Sequence, residues 1–377
     1  MLQALQTLFT LRWTQQPQFR PLPSHITRTF VQTPTGPLEL LVCEPRKPST
    51  RSTRPAISFV HGGYGCASVW LDWMTYLYEH DYTGRLYAYS VRNHGASHAV
   101  SYFQMVFNTS LDGITSDLVA CMNHAQELNV NQSMTIVAHS AGGGLAQYAL
   151  AKGLIRARAL CLVDAVPHYG MADLYWNWFK HDPWFPLRSL LHLGHPSSPL
   201  YTPALVQGAF FGSKFDSRDV ASFMQWMPCY ESMGWPIGQF GGFWRWLRGR
   251  NAWLDIKDIL RHIEVSRAED EDKDSICLIV GLEDMMYDEG MRKRVANEYR
   301  QCIYDLESCK KIDRRSCGGA EEKVEESDIN GIISERERGV RVVLVQDAGH
   351  HVQNDVQKTD AARALWSFIP LHKGSGV

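Results

Sequence analysis

No apolar run in the 377 residues approaches the roughly 18 needed to cross a bilayer, and the N-terminus lacks the apolar stretch and small-residue cleavage site of a secretory signal. A soluble protein is expected. Charge of one sign is also missing: 38 basic against 40 acidic side chains leave a formal net charge of -2. Without a broad cationic face to hold phosphates, nucleic-acid binding is not expected. Paired cysteine spacing is absent too. Nine cysteines scatter from Cys43 to Cys317 with no C-x-x-C, so neither a disulfide framework nor a zinc site is indicated. Reduced thiols and a cytoplasmic location follow, with no metal and no cofactor required.

Acidic residues are missing from the first 38 positions, while Arg12, Arg20 and Arg28 are present and Leu2, Leu5, Phe9 and Trp13 would share a helical face. That pattern suits an apolar N-terminal arm, residues 1–25, packed on the body. A mitochondrial transit segment is the alternative.

From Ile26 the strings ITRTFVQT and LELLVCEP, joined by Pro34-Thr35-Gly36-Pro37, read as a hairpin at an antiparallel sheet edge. After a polar linker from Arg46 to Arg54, short apolar runs recur as ISFV, LYAYSV, MTIVA, ALCLV, ICLIV and VVLV. Such runs are what strands buried on both faces look like. Between two of them Leu111, Ile114, Leu118, Met122 and Ala125 recur three or four apart, which predicts a helix with one apolar stripe. Strand–helix repetition implies an α/β fold with a mostly parallel, doubly wound sheet and right-handed crossovers.

The alternation stops over residues 167–263, directly after the sixth predicted strand. This segment holds Trp176, Trp178, Trp184, Trp226, Trp235, Trp244, Trp246 and Trp253, eight of the twelve tryptophans, with AFFG at Ala209–Gly212. It reads as a helical cap between two core portions, 26–166 and 264–377. Rings of this size each bury about 150–250 Å², so some are expected in the cap's own core and a few on a substrate. Two charged stretches, Glu264 to Ser275 and Asp305 to Arg338, read as exposed loops, the second partly disordered.

The chemistry-bearing signal is MTIVAHSAGGGLAQYAL, an apolar strand running through Ala138-His139-Ser140-Ala141-Gly142 into a helix-compatible run. It resembles the nucleophile elbow of the α/β-hydrolase superfamily, G-x-S-x-G in a strained strand-to-helix turn, with Ala138 at the first glycine. Ser140 takes the nucleophile position. Upstream, His61-Gly62-Gly63-Tyr64 resembles that family's oxyanion turn, which implies backbone N–H donors at Gly63 and Ala141, with Tyr64 as the alternative to Gly63. Near the C-terminus VRVVLVQDAGHHVQND places His350 after the last strand, where the family carries its catalytic imidazole, with His351 beside it. After the penultimate strand ICLIVGLEDMMYD offers Glu283, Asp284 and Asp288. Asp284 fits the family's acid best, and Asp164 at the end of ALCLV is the alternative. The order Ser, Asp, His agrees with the family. YAYSVRNHGAS resembles a core-bracing turn of the same family, so His94 and Ser97 are expected to be structural.

The resemblance runs from Ile26 to Phe368 without the charged insertion 305–338, and is similar in overall look to capped fungal members acting on secondary metabolites. It implies attack by Ser140 on an ester or thioester of a hydrophobic small molecule, through an acyl-enzyme. Carbon–carbon hydrolases and lyases share the triad, and some members of the superfamily are non-catalytic ligand binders, so both remain alternatives.

Overall fold

The computed structural model describes residues 18–47, 54–130, 132–192, 195, 198–241, 253–264, 274–312, 325–329 and 331–369. The helical face expected of Leu2, Leu5, Phe9 and Trp13, and the tryptophans Trp244 and Trp246, lie outside them.

Ten strands form one sheet: β1 (Ile26–Thr33), β2 (Gly36–Cys43), β3 (Ile57–Val60), β4 (Leu86–Tyr89), β5 (Thr135–His139), β6 (Ala159–Val163), β7 (Ile276–Gly281), β8 (Glu325–Ile329), β9 (Ile332–Glu337) and β10 (Val340–Val345). Their spatial order is β1-β2-β4-β3-β5-β6-β7-β10-β9-β8. The six strands from β4 to β10 are mutually parallel, and an antiparallel pair closes each edge. All six apolar runs seen in the sequence are these parallel strands, and ITRTFVQT with LELLVC is the first edge hairpin.

Side chains on the parallel strands alternate between two apolar layers, as a pleat of period two requires. Ile136, Leu160, Leu162, Leu278 and Val342 face one layer; Val137, Cys161, Val163, Ile279 and Val343 face the other. The first layer is covered by α2 (Leu111–Leu128), α3 (Ser140–Ala151) and α10 (Glu289–Ile312), and the second by α1 (Leu71–Glu79) and α11 (Lys358–Phe368). Helix α2 starts where Ser110 Oγ accepts the Gly113 N–H, the cap chemistry that serine supplies. Its stripe buries Ile114 and Leu118 completely, each contributing about 1.5–3 kcal/mol. Cys43, Cys66, Cys121, Cys161, Cys229, Cys277 and Cys302 are free.

Between β6 and β7 the chain forms α4 (Ala172–His181), α5 (Phe185–Leu191), α6 (Pro203–Phe210), α7 (Ser217–Met224), α8 (Gly234–Gln239) and α9 (Ile256–Leu260). This helical segment occupies the stretch where the strand pattern lapses. The described part of the N-terminal arm reaches the same region: Arg20 pairs with Asp72 at 2.8 Å and lies 4.8 Å above the Trp226 ring.

Of the two charged stretches expected to be loops, residues 265–273 and 313–324 lie outside the described residues, and the described parts of the second are helix and strand. Helix α10 continues to Ile312, and β8 and β9 then extend the sheet as an antiparallel hairpin on β10. The missed signal is Asn330-Gly331, the strongest short hairpin dipeptide, with Gly331 at φ +77°. Charge here ties the hairpin to its neighbours: Arg336 and Arg341 both hold Asp274, at 2.8 and 2.9 Å, and Arg300 of α10 lies 3.2 Å from Glu337. Asp274 and Ser275, expected on an exposed loop, are buried for that reason. Among the described residues no helix is long and apolar enough to cross a membrane.

One buried ion pair fastens the turn after β4 to α2. Arg92 donates to Asp117 through Nε (2.8 Å) and a terminal nitrogen (2.5 Å), and its backbone N–H reaches the same carboxylate at 3.0 Å. Removing one partner of a buried pair strands the other charge. Asp117→Ala is therefore expected to lower the unfolding free energy by about 3–5 kcal/mol. Urea denaturation measures it, and a loss below about 1 kcal/mol would show the pair to be solvated.

Candidate active site

Strand β5 ends at His139, and the chain turns directly into α3 with Ser140 at φ +51°, a left-handed conformation that side chains other than glycine resist. Two close approaches make the turn. A Cβ on Gly142 would stand 2.1 Å from the His61 carbonyl oxygen, and one on Gly62 would stand 2.7 Å from Ser140 Cβ. The HGGY turn after β3 and the serine turn after β5 are thus in backbone contact, which only glycine permits at both positions.

The serine hydroxyl lies against an imidazole brought from 210 residues away. His350 Nε2 is 2.8 Å from Ser140 Oγ, and His350 Nδ1 is 2.7 Å from Asp284 Oδ2. The Nδ1–H donates to the carboxylate, which leaves Nε2 as acceptor for the serine proton. Asp284 is held by the Met286 N–H at 2.7 Å. The loop carrying His350 is braced by Asp355, whose Oδ2 accepts the Gly349 and Gly212 N–H groups, both at 2.8 Å.

The alternative acid, Asp164, is fully buried at the end of β6 and takes the Gly281 N–H on its two oxygens at 3.1 and 3.3 Å. Among the described residues it makes no hydrogen bond to His350. Burial, and then the neighbouring Asp284 carboxylate, push its pKa well above the usual range. Glu283 is engaged elsewhere, with the Ser213 N–H and hydroxyl, and Asp288 starts α10 and holds Asn177. His351 does not meet the serine. It packs against Phe210 and His139, and burial pushes its pKa down to about 3.

The three residues whose amides are candidates for the oxyanion position, Gly63, Tyr64 and Ala141, line a cavity together with Ser140 and His350. Ala141 is in the first turn of α3, where the helix dipole favours negative charge. The Tyr64 N–H is committed elsewhere, donating to Glu231 Oε2 at 3.0 Å. Below the turn, His61 is a neutral brace: Nδ1 donates to the Gly62 carbonyl (2.8 Å) and Nε2 accepts the Val91 N–H (3.2 Å). Burial holds its pKa at about 3. Ser97 is a core brace as expected, bonded to the Glu39 N–H and the Ser90 carbonyl, but His94 reaches into the site and meets Glu231 at 2.9 Å.

The cavity has a volume of about 310 Å³ and is walled chiefly by apolar groups from the helical segment, among them Met171, Leu174, Trp178, Phe210, Trp235 and Phe240. Among the tryptophans of this stretch, Trp178 and Trp235 line the cavity and Trp253 stacks on Tyr148, while Trp176 and Trp184 are exposed and belong to neither duty expected of them. Sequence reading missed Glu231. Its signal was available, for it is the one acidic residue between Asp219 and Asp255 in an otherwise apolar and aromatic stretch.

The family model described as the alpha/beta hydrolase family matches residues 59–361. No curated protein matches the chain. Among solved structures, a membrane phospholipase A described as a bacterial virulence factor is 15% identical with a TM-score of 0.51, over 91% of this chain and 86% of that one. An alpha/beta hydrolase from a Medee basin deep-sea metagenome library is 12% identical, with a TM-score of 0.51 and coverage of 90% and 97%. An esterase from Exiguobacterium antarcticum is 14% identical, with a TM-score of 0.50 and coverage of 91% and 99%. At these identities the likeness speaks to fold alone, and it agrees with the family match, which spans more than half of the sequence: the chain belongs to the alpha/beta hydrolase family.

Proposed function

We propose that the protein is a serine hydrolase that cleaves an ester or thioester of a hydrophobic small molecule through an acyl-enzyme. The observation that carries this reading is the continuous chain Ser140–His350–Asp284, with contacts of 2.8 and 2.7 Å, at the floor of an apolar cavity. Ser140 Oγ attacks the carbonyl carbon while His350 Nε2 takes its proton, and Asp284 supports the imidazolium that forms. The tetrahedral oxyanion is received by the N–H groups of Gly63 and Ala141. Collapse expels the alcohol or thiol with the proton from His350, and water activated by the same imidazole releases the acid. The segment 167–263 acts as a cap whose aromatic wall selects the hydrophobic part of the substrate.

A fluorophosphonate probe tests the nucleophile without knowledge of the substrate. Mass spectrometry is expected to find the label on Ser140, with labelling abolished in Ser140→Ala and His350→Ala. A folded wild type that stays unlabelled would instead favour a ligand-binding role.

Exchange of the acids separates the two candidates. Asp284→Asn is expected to slow acylation by about 10⁴-fold, because the amide forces the wrong imidazole tautomer. Asp164→Asn leaves the contact between His350 and Asp284 in place and costs less than about tenfold. Reversal of that order in stopped-flow ester cleavage would make Asp164 the working acid.

The backbone contact between the two turns is tested by Gly62→Ala. Its methyl displaces Ser140, and a shift approaching 1 Å costs about 10² in rate. Labelling at the wild-type rate by a folded variant would refute the geometric argument.

A further inference from the structure

A carboxylate beside an oxyanion position is an electrostatic liability, since it repels the charge that develops during acyl transfer. Glu231 is such a carboxylate. It is 96% buried, it faces the cavity, and its Oε2 would be 3.9 Å from a Cβ on Gly63. Its position becomes intelligible through its partners. Oε2 accepts the Tyr64 N–H at 3.0 Å and meets His94 Nε2 at 2.9 Å, while Oε1 accepts the Ser232 N–H at 2.8 Å. Tyr64 itself stands at φ +60°, a conformation that a non-glycine residue keeps only when something holds it.

We propose that Glu231, together with His94, is the positioning residue of the oxyanion turn: it engages the Tyr64 N–H, which fixes the orientation of the Gly63 amide, and it does so as a pair without net charge. The proposal rests on the acyl-enzyme reading above and assigns that site a member contributed by the segment between β6 and β7.

Proton accounting supports the neutrality. His94 Nδ1 faces the Arg92 carbonyl oxygen at 2.8 Å, and a carbonyl only accepts, so Nδ1 carries hydrogen. The contact between Nε2 and Oε2 then holds a single proton. With the proton on nitrogen the pair is imidazolium and carboxylate, and with it on oxygen the pair is imidazole and carboxylic acid. The net charge is zero in both cases. The surroundings do not alter the sum: Arg92 is compensated by Asp117, the neutral His61 ring is 5.4 Å from His94, and burial keeps Tyr64 and Tyr175 protonated.

The arrangement also explains why an isosteric amide cannot replace the acid. Two backbone N–H groups point at the two different oxygens, one at each. Whichever way a glutamine side chain is turned, its NH₂ group meets the Tyr64 N–H or the Ser232 N–H.

The test compares wild type, Ser140→Ala and Glu231→Gln. With a p-nitrophenyl ester, Glu231→Gln is expected to lower kcat by about 10–10² with KM changed less than about threefold, part of the 10²–10³ that loss of an oxyanion donor costs. A role confined to the cavity wall would move KM and leave kcat in place, and that result overturns the proposal. A second measurement does not depend on the variant folding. In ¹⁵N-histidine NMR of wild type and of Ser140→Ala, which lacks the nucleophile, His94 is expected to carry hydrogen on Nδ1 and to show a downfield proton shared with Glu231. A bare Nδ1 overturns the proposal even where the ester assay agrees. The two readings fail differently. If wild type is neither labelled by fluorophosphonate nor active on esters, the acyl-enzyme reading falls and the positioning role falls with it. If wild type labels at Ser140 while folded Glu231→Gln keeps its kcat, the positioning role alone is wrong.

Discussion

The site depends on one steric constraint, the backbone contact between the turn after β3 and the turn after β5. Parallel neighbours in the sheet end side by side, with Val60 in register with Ala138. Their continuing turns can meet only where side chains are absent. Gly62 against Ser140 and Gly142 against the His61 carbonyl are those places. The contact brings two backbone amides near one point above the sheet and holds Ser140 in its left-handed turn, and His350 and Asp284 are then aimed at a hydroxyl whose position is already set.

Around this contact, His61, Asp164, His94 and Glu231 are each held by hydrogen bonds. His61 is a neutral brace, Asp164 has its pKa raised by burial and by Asp284, and His94 with Glu231 is a compensated pair. Asp355 spends one oxygen on two amides to hold the loop that carries His350. Unpaired charge here would be costly in stability and would also disturb a transition state that gains negative charge. The apolar wall from the segment between β6 and β7 adds a third condition, because exclusion of water strengthens every one of these contacts.

That wall also contributes chemistry. Glu231 enters the polar network from a helical segment otherwise rich in aromatic and aliphatic groups, and Gln239 from α8 donates to the Ala141 carbonyl at 2.8 Å. The segment is therefore fastened to both turns that carry the candidate oxyanion donors.

Legibility in the sequence followed the range of the forces involved. The six parallel strands were readable because strands buried on both faces must be continuously apolar, and α2 because a half-buried helix must carry its stripe. Ser140 and the HGGY turn were readable because a strained turn demands small neighbours within a few residues, and His350 because it follows the last strand. The hairpin of β8 and β9 was masked by charge, since Glu335, Arg336 and Glu337 look like a solvated run until Asp274 and Arg300 are seen opposite them. Asp284 was readable from its place after the penultimate strand, whereas the recruitment of Glu231 by Tyr64 and His94 showed only as a lone acid in its stretch, with nothing local to name its partners. The sequence by itself determined the alternation of elements and the residue types able to bend tightly. Only the tertiary structure decided which buried acid meets which donor, because that pairing depends on contacts across 66, 137 and 167 positions of chain.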